Sequence, residues 1–171
     1  MANRVIVTDQ QYAPMFLEWM TQRIGEPGLF EPDECRTIAH VQFNDDGSFE
    51  ILCVVALNRW TQHSCEGNIA SDLSKRWMTR DFAFTVYDFV FRHAGKSRFN
   101  FTVNTENADA IQMHEKLGHQ FVCRLEDAYG ESRDAFVYGL TKRQWLNGKY
   151  AKPSKQTRIP INTAIQTEAD A

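Results

Sequence analysis

The chain changes its hydrophobic period early. Residues 4–8 (RVIVT) have the β-branched character of a short strand, and Asp9 follows as a candidate helix cap. From residue 11 to 24, apolar positions 13, 16, 17, 20 and 24 recur with helical spacing and predict an amphipathic helix with Pro14 in its first turn. Two glycines and two prolines in residues 25–34 end that helix in a loop long enough to border a site.

Residues 36–43 (RTIAHVQF) and 49–57 (FEILCVVAL) read as strands joined by the turn Asn44-Asp45-Asp46-Gly47, a hairpin signal. The second strand is almost continuously apolar and belongs inside a sheet. A weaker extended segment covers 64–71, and a basic turn covers 72–79. Residues 81–93 are apolar on several faces without a turn signal, which predicts a buried helix ended by Gly95.

Residues 98–103 (RFNFTV) alternate like a strand, and 107–117 form a helix with Ala110, Met113, His114 and Leu117 toward the core and Gly118 at its stop. Two further strands, 121–126 and 135–140, flank the turn at Tyr129-Gly130, and 142–146 is a short helix. One domain over 1–148 is expected, followed at 149–171 by a polar segment with two prolines and no sustained period. That segment reads as a flexible tail, with a partner-binding arm as the alternative. Strands alternating with crossover-length helices define an α/β layout.

Composition adds little to this picture and subtracts several functions from it. At 43% hydrophobic and 24% charged residues, with twelve Phe, five Tyr and four Trp, the chain can build a core. A net charge of -3 with mixed signs gives no electrostatic reason to expect nucleic acid, whose binding leans on a basic surface. The patches Lys75/Arg76/Arg80 and Arg92/His93/Lys96/Arg98 are open to a binding or a plain solvated role. Cys35, Cys53, Cys65 and Cys123 have no C-x-x-C spacing and read as free thiols, so neither a metal site nor a disulfide framework is expected. The first sixteen residues lack a secretory pattern, and no apolar run spans a bilayer; a cytoplasmic protein without membrane partners is expected.

The chemistry-bearing signal is NADAIQMHEKLGHQF, residues 107–121. It resembles a recurring stretch of the GCN5-related N-acetyltransferases: Asn, two variable residues, Ala-Ile, a variable residue, an aliphatic residue, Tyr, Glu-Lys-Leu-Gly and Phe. Asn107, Ala110, Ile111, Met113, His114, Glu115, Lys116, Leu117, Gly118 and His119 occupy those positions, and eight of the ten agree in identity or close character. Upstream, Val103 and Gly95 fall where the family pattern wants them. The family's turn of Gln/Arg-x-x-Gly-x-Gly/Ala falls on Arg76, Thr79 and Asp81, matching at the arginine alone.

The resemblance implies a single-domain mixed central sheet flanked by helices, with a splay between two central parallel strands, here 64–71 and 98–103. It implies transfer of an acetyl group from acetyl-coenzyme A to an amine by direct attack, the acceptor being a small molecule or a protein. Coenzyme contacts would come from Ser71, Arg76, Trp77, Thr79, Arg80 and Asn107. Glu66 would be the general base, with Glu50 and His63 as poorer choices. His114, in place of the family tyrosine near the thioester sulfur, would be the proton donor.

Each of these residues has a plainer role beside the chemical one. Asn107 and Asp81 are candidate helix caps, each worth about 1 kcal/mol; His114 is a candidate core histidine and Glu66 a solvated side chain; His119 looks structural. Glycines in the phosphate turn allow close approach of backbone N-H groups to a diphosphate, so Thr79 and Asp81 predict weakened or reshaped coenzyme binding, offset by Lys75, Arg76 and Arg80. The alternative function is a binding or structural protein that keeps the fold without catalysis, as in degenerate acetyltransferase-like proteins of bacteriophages.

Overall fold

In the computed structural model, which describes residues 3–25, 28–155 and 159–162, the strands are β1 (Asn3–Val7), β2 (Arg36–Phe43), β3 (Phe49–Asn58), β4 (Ser64–Ser71), β5 (Arg98–Asn104), β6 (Gln120–Leu125), β7 (Ala135–Thr141) and β8 (Ile161–Asn162). The α-helices are α1 (Ala13–Ile24), α2 (Arg80–Asp88), α3 (Ala108–Leu117) and α4 (Lys142–Leu146). Hydrogen bonding orders the strands β6-β7-β5-β4-β3-β2-β1-β8. Parallel and antiparallel pairs mix in this sheet, so the expected α/β architecture, a mixed sheet flanked by helices, is present.

Contacts cluster into two compact units. One takes the chain up to Leu57, Ile69–Phe82 and the chain from Ser154; the other takes Asn58–Asn68 and Ala83–Pro153. In the first, β1 and β3 each pair antiparallel with β2. The β2–β3 turn closes with Gly47 donating to the Asn44 carbonyl at 3.1 Å, and Gly47 has φ 84°, a value that favours glycine. Helix α1 follows a 3-10 turn whose first residues are capped by Asp9, which accepts from Gln11 N. It stops at Gly25, whose φ of 75° lets its N-H reach the Thr21 carbonyl. Phe16, Leu17 and Met20 meet Val5, Val7, Ala39, Val41, Val54 and Ala56 in one core cluster. Full burial of a side chain such as Phe16 contributes about 1.5–3 kcal/mol. Ile24, placed on the apolar stripe by its spacing, is 37% exposed.

The second unit is built on aromatic rings. Phe99 and Phe101 on β5 are buried with ring centroids 4.2 Å apart, Phe91 stacks on Trp145, and Tyr87 meets Phe99 edge to face. β7 lies between β5 and β6 and pairs antiparallel with both. The helix predicted over 81–93 is α2 continued by a π-helical turn at Phe89–His93, with Ala94 N donating to the Phe89 carbonyl at 2.8 Å. Helix α4 carries a capping box between Thr141 and Gln144.

Within the first unit, Ile6 N donates to the Pro160 carbonyl at 2.9 Å and β8 pairs parallel with β1. A strand of two residues has too few positions to show a period. The expected loop at residues 26–27 and the tail at 156–158 and 163–171 lie outside the described residues. Among the described residues no helix is long and apolar enough to cross a membrane, and no cluster of His, Cys, Asp or Glu could hold a metal ion.

Candidate functional site

In the first unit the region of interest is the turn that ends β4 and starts α2. Leu73 and Lys75 both have positive φ, 66° and 63°, so the backbone reverses tightly without a glycine. Asp72 organises it, accepting from Ser74 N, Ser74 Oγ and Arg76. These donors hold the Asp72 carboxyl below its ordinary range against the opposing effect of burial. Arg76, the residue that matches the family turn, pairs with Asp72 at 2.9 Å and with Glu50 at 3.3 Å. It is therefore an internal brace of the turn as well as a candidate phosphate ligand. Ser71 accepts from Leu73 N and, through its carbonyl, from Arg23. Arg80 is exposed at the helix start.

The Trp77 side chain is buried, packed edge to face on Phe82, so a ligand would meet its backbone rather than its indole. Its carbonyl lies 2.9 Å from Nδ1 of His40, which is fully buried and stacked on Phe82. A carbonyl only accepts, so His40 carries its proton on Nδ1 and pins the turn to β2. Burial lowers the pKa of His40. Period 2 places His40 on the face opposite Ala39 and Val41.

Asp81 departs from its expected role. The Thr79 hydroxyl accepts from Phe82 N at 3.2 Å, an N-cap bond to the third helical residue. The Asp81 carboxylate instead accepts from Ser154 N at 2.6 Å and Ile159 N at 2.8 Å, and the residue is 5% exposed. A negative charge thus already occupies the first turn of α2, where N-H groups and the helix dipole favour an anion. Residues 73 and 78 positions downstream answer it.

In the second unit, β4 and β5 run parallel but pair only at Ser64↔Arg98, Cys65↔Phe99 and Glu66↔Asn100. The paired positions end at Glu66, where the splay is expected. One wall there is aromatic: a Cβ on Gly67 would come within 2.6 Å of Phe99 and 2.7 Å of Phe101, so only glycine fits. Glu66 points to the face opposite buried Cys65 and meets Arg59 at 3.2 Å. His63 lends its carbonyl to Ser97 and Arg98.

Asn107 caps α3, accepting from Ala110 N at 3.1 Å, so the structural role expected for it is present. His114, on the buried side of α3, stacks on Tyr138 and leans on Phe101. Burial lowers its pKa to about 4, so the ring is neutral at pH 7 and offers a single N-H. Its Nδ1 lies 2.7 Å from Nδ1 of His119, whose Nε2 lies 2.7 Å from the Tyr87 hydroxyl. Sequence reasoning missed His119 and Tyr87 as partners. Gly118 is the signal for the first: its φ of 84° reverses the chain and lets His119 N reach the His114 carbonyl. Tyr87 carries no local signal, being 32 residues away. The Arg92–Arg98 patch is largely internally paired, Arg92 with Asp88 and Lys96 with the Thr61 carbonyl.

No family model matches the sequence, and neither does any curated protein. Solved structures do match, and the class they define is the N-acetyltransferase fold. A chimera of the spermidine N-acetyltransferase SpeG from Vibrio cholerae and hSSAT aligns with a TM-score of 0.61 at 15% identity, over 84% of this chain and 99% of that one. A second such chimera gives 0.55 at 17% identity, over 77% and 79%. The V. cholerae spermidine N-acetyltransferase in complex with CoA and spermine gives 0.54 at 16% identity, over 77% and 76%. Identities this low speak for the fold.

Proposed function

We propose that this protein transfers an acetyl group from acetyl-coenzyme A to an amine. The observation that carries the reading is the short parallel pairing of β4 and β5, three positions ending at Glu66, the place where acetyltransferases of this fold admit the pantetheine arm. The complex of a same-fold neighbour with CoA and spermine supports both the donor and a small-molecule amine as acceptor. Four free cysteines accord with a cytoplasmic protein.

The amine nitrogen attacks the thioester carbonyl, a C-N bond forms, the C-S bond breaks, and the nitrogen gives up a proton. Glu66 is the candidate acceptor of that proton, with Arg59 holding its carboxylate. His114, as a neutral imidazole, supplies one N-H to the departing sulfur. In the first unit, Ser71, Arg76, Thr79, Arg80 and the Trp77 backbone are the candidate diphosphate contacts; in the second, Asn107 is the candidate contact at α3.

Asp81 favours a second reading, a binding or structural protein, whether or not of phage origin, that keeps the fold without using the coenzyme. Its carboxylate adds a negative charge to the first turn of α2, which disfavours a diphosphate there. Calorimetric titration of the intact protein with acetyl-coenzyme A separates the two. Saturable binding at or below about 1 mM, the upper end of ordinary KM values, is expected; no detectable heat would overturn the enzyme reading. Asp81→Gly should tighten that binding. His114→Ala and Glu66→Gln should lower kcat by about 10²-fold or more with little change in coenzyme affinity, and unchanged rates would remove both from the mechanism.

A further inference from the structure

The buried line Tyr87–His119–His114 allows the position of every proton in it to be deduced. Tyr87 Oη and His119 Nε2 are 2.7 Å apart, as are the Nδ1 atoms of His119 and His114. Tyr87 is 3% exposed and each histidine 4%. Among the described residues the Tyr87 hydroxyl has one hydrogen-bond partner, His119. Were that hydroxyl to accept from His119, its own proton would be buried without an acceptor, a costly arrangement.

The opposite direction leaves the spare proton on His114 Nε2, which, unlike His40 Nε2, is not a fully buried atom without a partner. Tyr87 donates to His119 Nε2. A neutral imidazole that accepts on one nitrogen carries its proton on the other, so His119 donates from Nδ1 to His114 Nδ1. His114 must then carry its proton on Nε2. Burial keeps both rings neutral, lowering His119 well below the usual range and His114 to about 4.

We propose that His119 and Tyr87 are positioning residues whose hydrogen bonds fix His114 in the Nε2-H tautomer, making it a donor of one defined N-H. The stacked rings of Phe101 on His119 and Tyr138 on His114 hold the orientation. The use of this donor at the sulfur of the departing coenzyme rests on the acetyltransferase reading; the tautomer itself does not. The opposite tautomer would present a lone pair to a developing thiolate. A tyrosine at this position brings its own O-H, whereas a histidine needs a partner to decide which nitrogen is the donor, and His119 with Tyr87 decides it.

Two-bond ¹H–¹⁵N correlation of the imidazoles in the intact protein at pH 7 tests this directly. His114 is expected protonated on Nε2 and bare on Nδ1, with His119 the reverse. Tyr87→Phe removes the proton that sets the direction, so both histidines should become mixtures. A predominantly Nδ1-H His114 in the wild type, or an unchanged tautomer in Tyr87→Phe, overturns the proposal. In the acetylation assay, Tyr87→Phe should lower kcat in proportion to the Nε2-H population lost, with KM for acetyl-coenzyme A unchanged; full kcat beside a mixed tautomer overturns the catalytic use. The spectra read the same whether or not acetyl transfer is found, so failure of the acetyltransferase reading registers separately.

Discussion

Each unit buries polar groups beside a segment that resembles acetyltransferase machinery, and the two solve the problem differently. In the first, the Asp81 carboxylate is met by backbone N-H groups of Ser154 and Ile159, so the charge at the start of α2 is answered from within the chain. In the second, two imidazoles and a phenol satisfy one another in a line, and the proton left over sits on His114 Nε2. The first arrangement sets a negative charge where a diphosphate would bring more, and the second leaves a donor to spare. A resemblance in spacing therefore means different things at the two places: at α3 it preserves donor chemistry in altered form, while at α2 an acid has been given a structural partner.

Asp81→Ala makes the sharpest test of this contrast. Two bonds to a buried carboxylate contribute about 1.5–3 kcal/mol each, so a loss of about 4 kcal/mol in urea denaturation is expected. Removing the chain from Ser154 onward breaks the same contacts, and combining the two changes should cost little more than either alone. Full additivity would show that the tail and Asp81 do not act as one clasp.

Acid should act on the second arrangement by the next largest amount. His114 has an ordinary pKa of 6.5 and one of about 4 in the fold, so the unfolded chain binds the extra proton between those values. Its contribution is fully present above pH 6.5 and is lost as pH falls toward 4. That depression corresponds to about 3 kcal/mol. His119 and His40, both lowered chiefly by burial, add in the same direction. Denaturant midpoints that stay flat from pH 7 to pH 4.5 would contradict the neutral chain.

The elements legible in the sequence were those that carry a period or a stop signal of their own. Residues 64–71 and 142–146 fall on β4 and α4, because each is bounded by turn residues and its pattern is local. The glycines at 25 and 118 mark real left-handed stops. What was not legible depends on distance along the chain. No local pattern announces that Asp81 will meet Ser154, or that Tyr87 will meet His119. Asp81 was the cap candidate by residue type; the structure shows a cap bond at Thr79 and places two tail N-H groups on the Asp81 carboxylate. The β4–β5 splay was an expectation from resemblance alone; what the strands show is the register of their pairing and the two phenylalanines over Gly67.

The smallest effects come from the caps, and they sharpen the contrast because the two are alike in stability terms. Thr79 and Asn107 each accept one bond from the third residue of their helix, at 3.2 Å and 3.1 Å. Alanine at either position should cost about 1 kcal/mol in urea denaturation. The two variants should diverge in coenzyme affinity. With Asp81 already facing the first turn of α2, loss of the Thr79 hydroxyl removes little that a diphosphate uses, whereas Asn107 stands at a helix start that matches the family pattern. Asn107→Ala is therefore expected to weaken acetyl-coenzyme A binding in calorimetry more than Thr79→Ala does. The reverse order would return the main coenzyme contact to the α2 turn and show that the Asp81 clasp opens when coenzyme arrives.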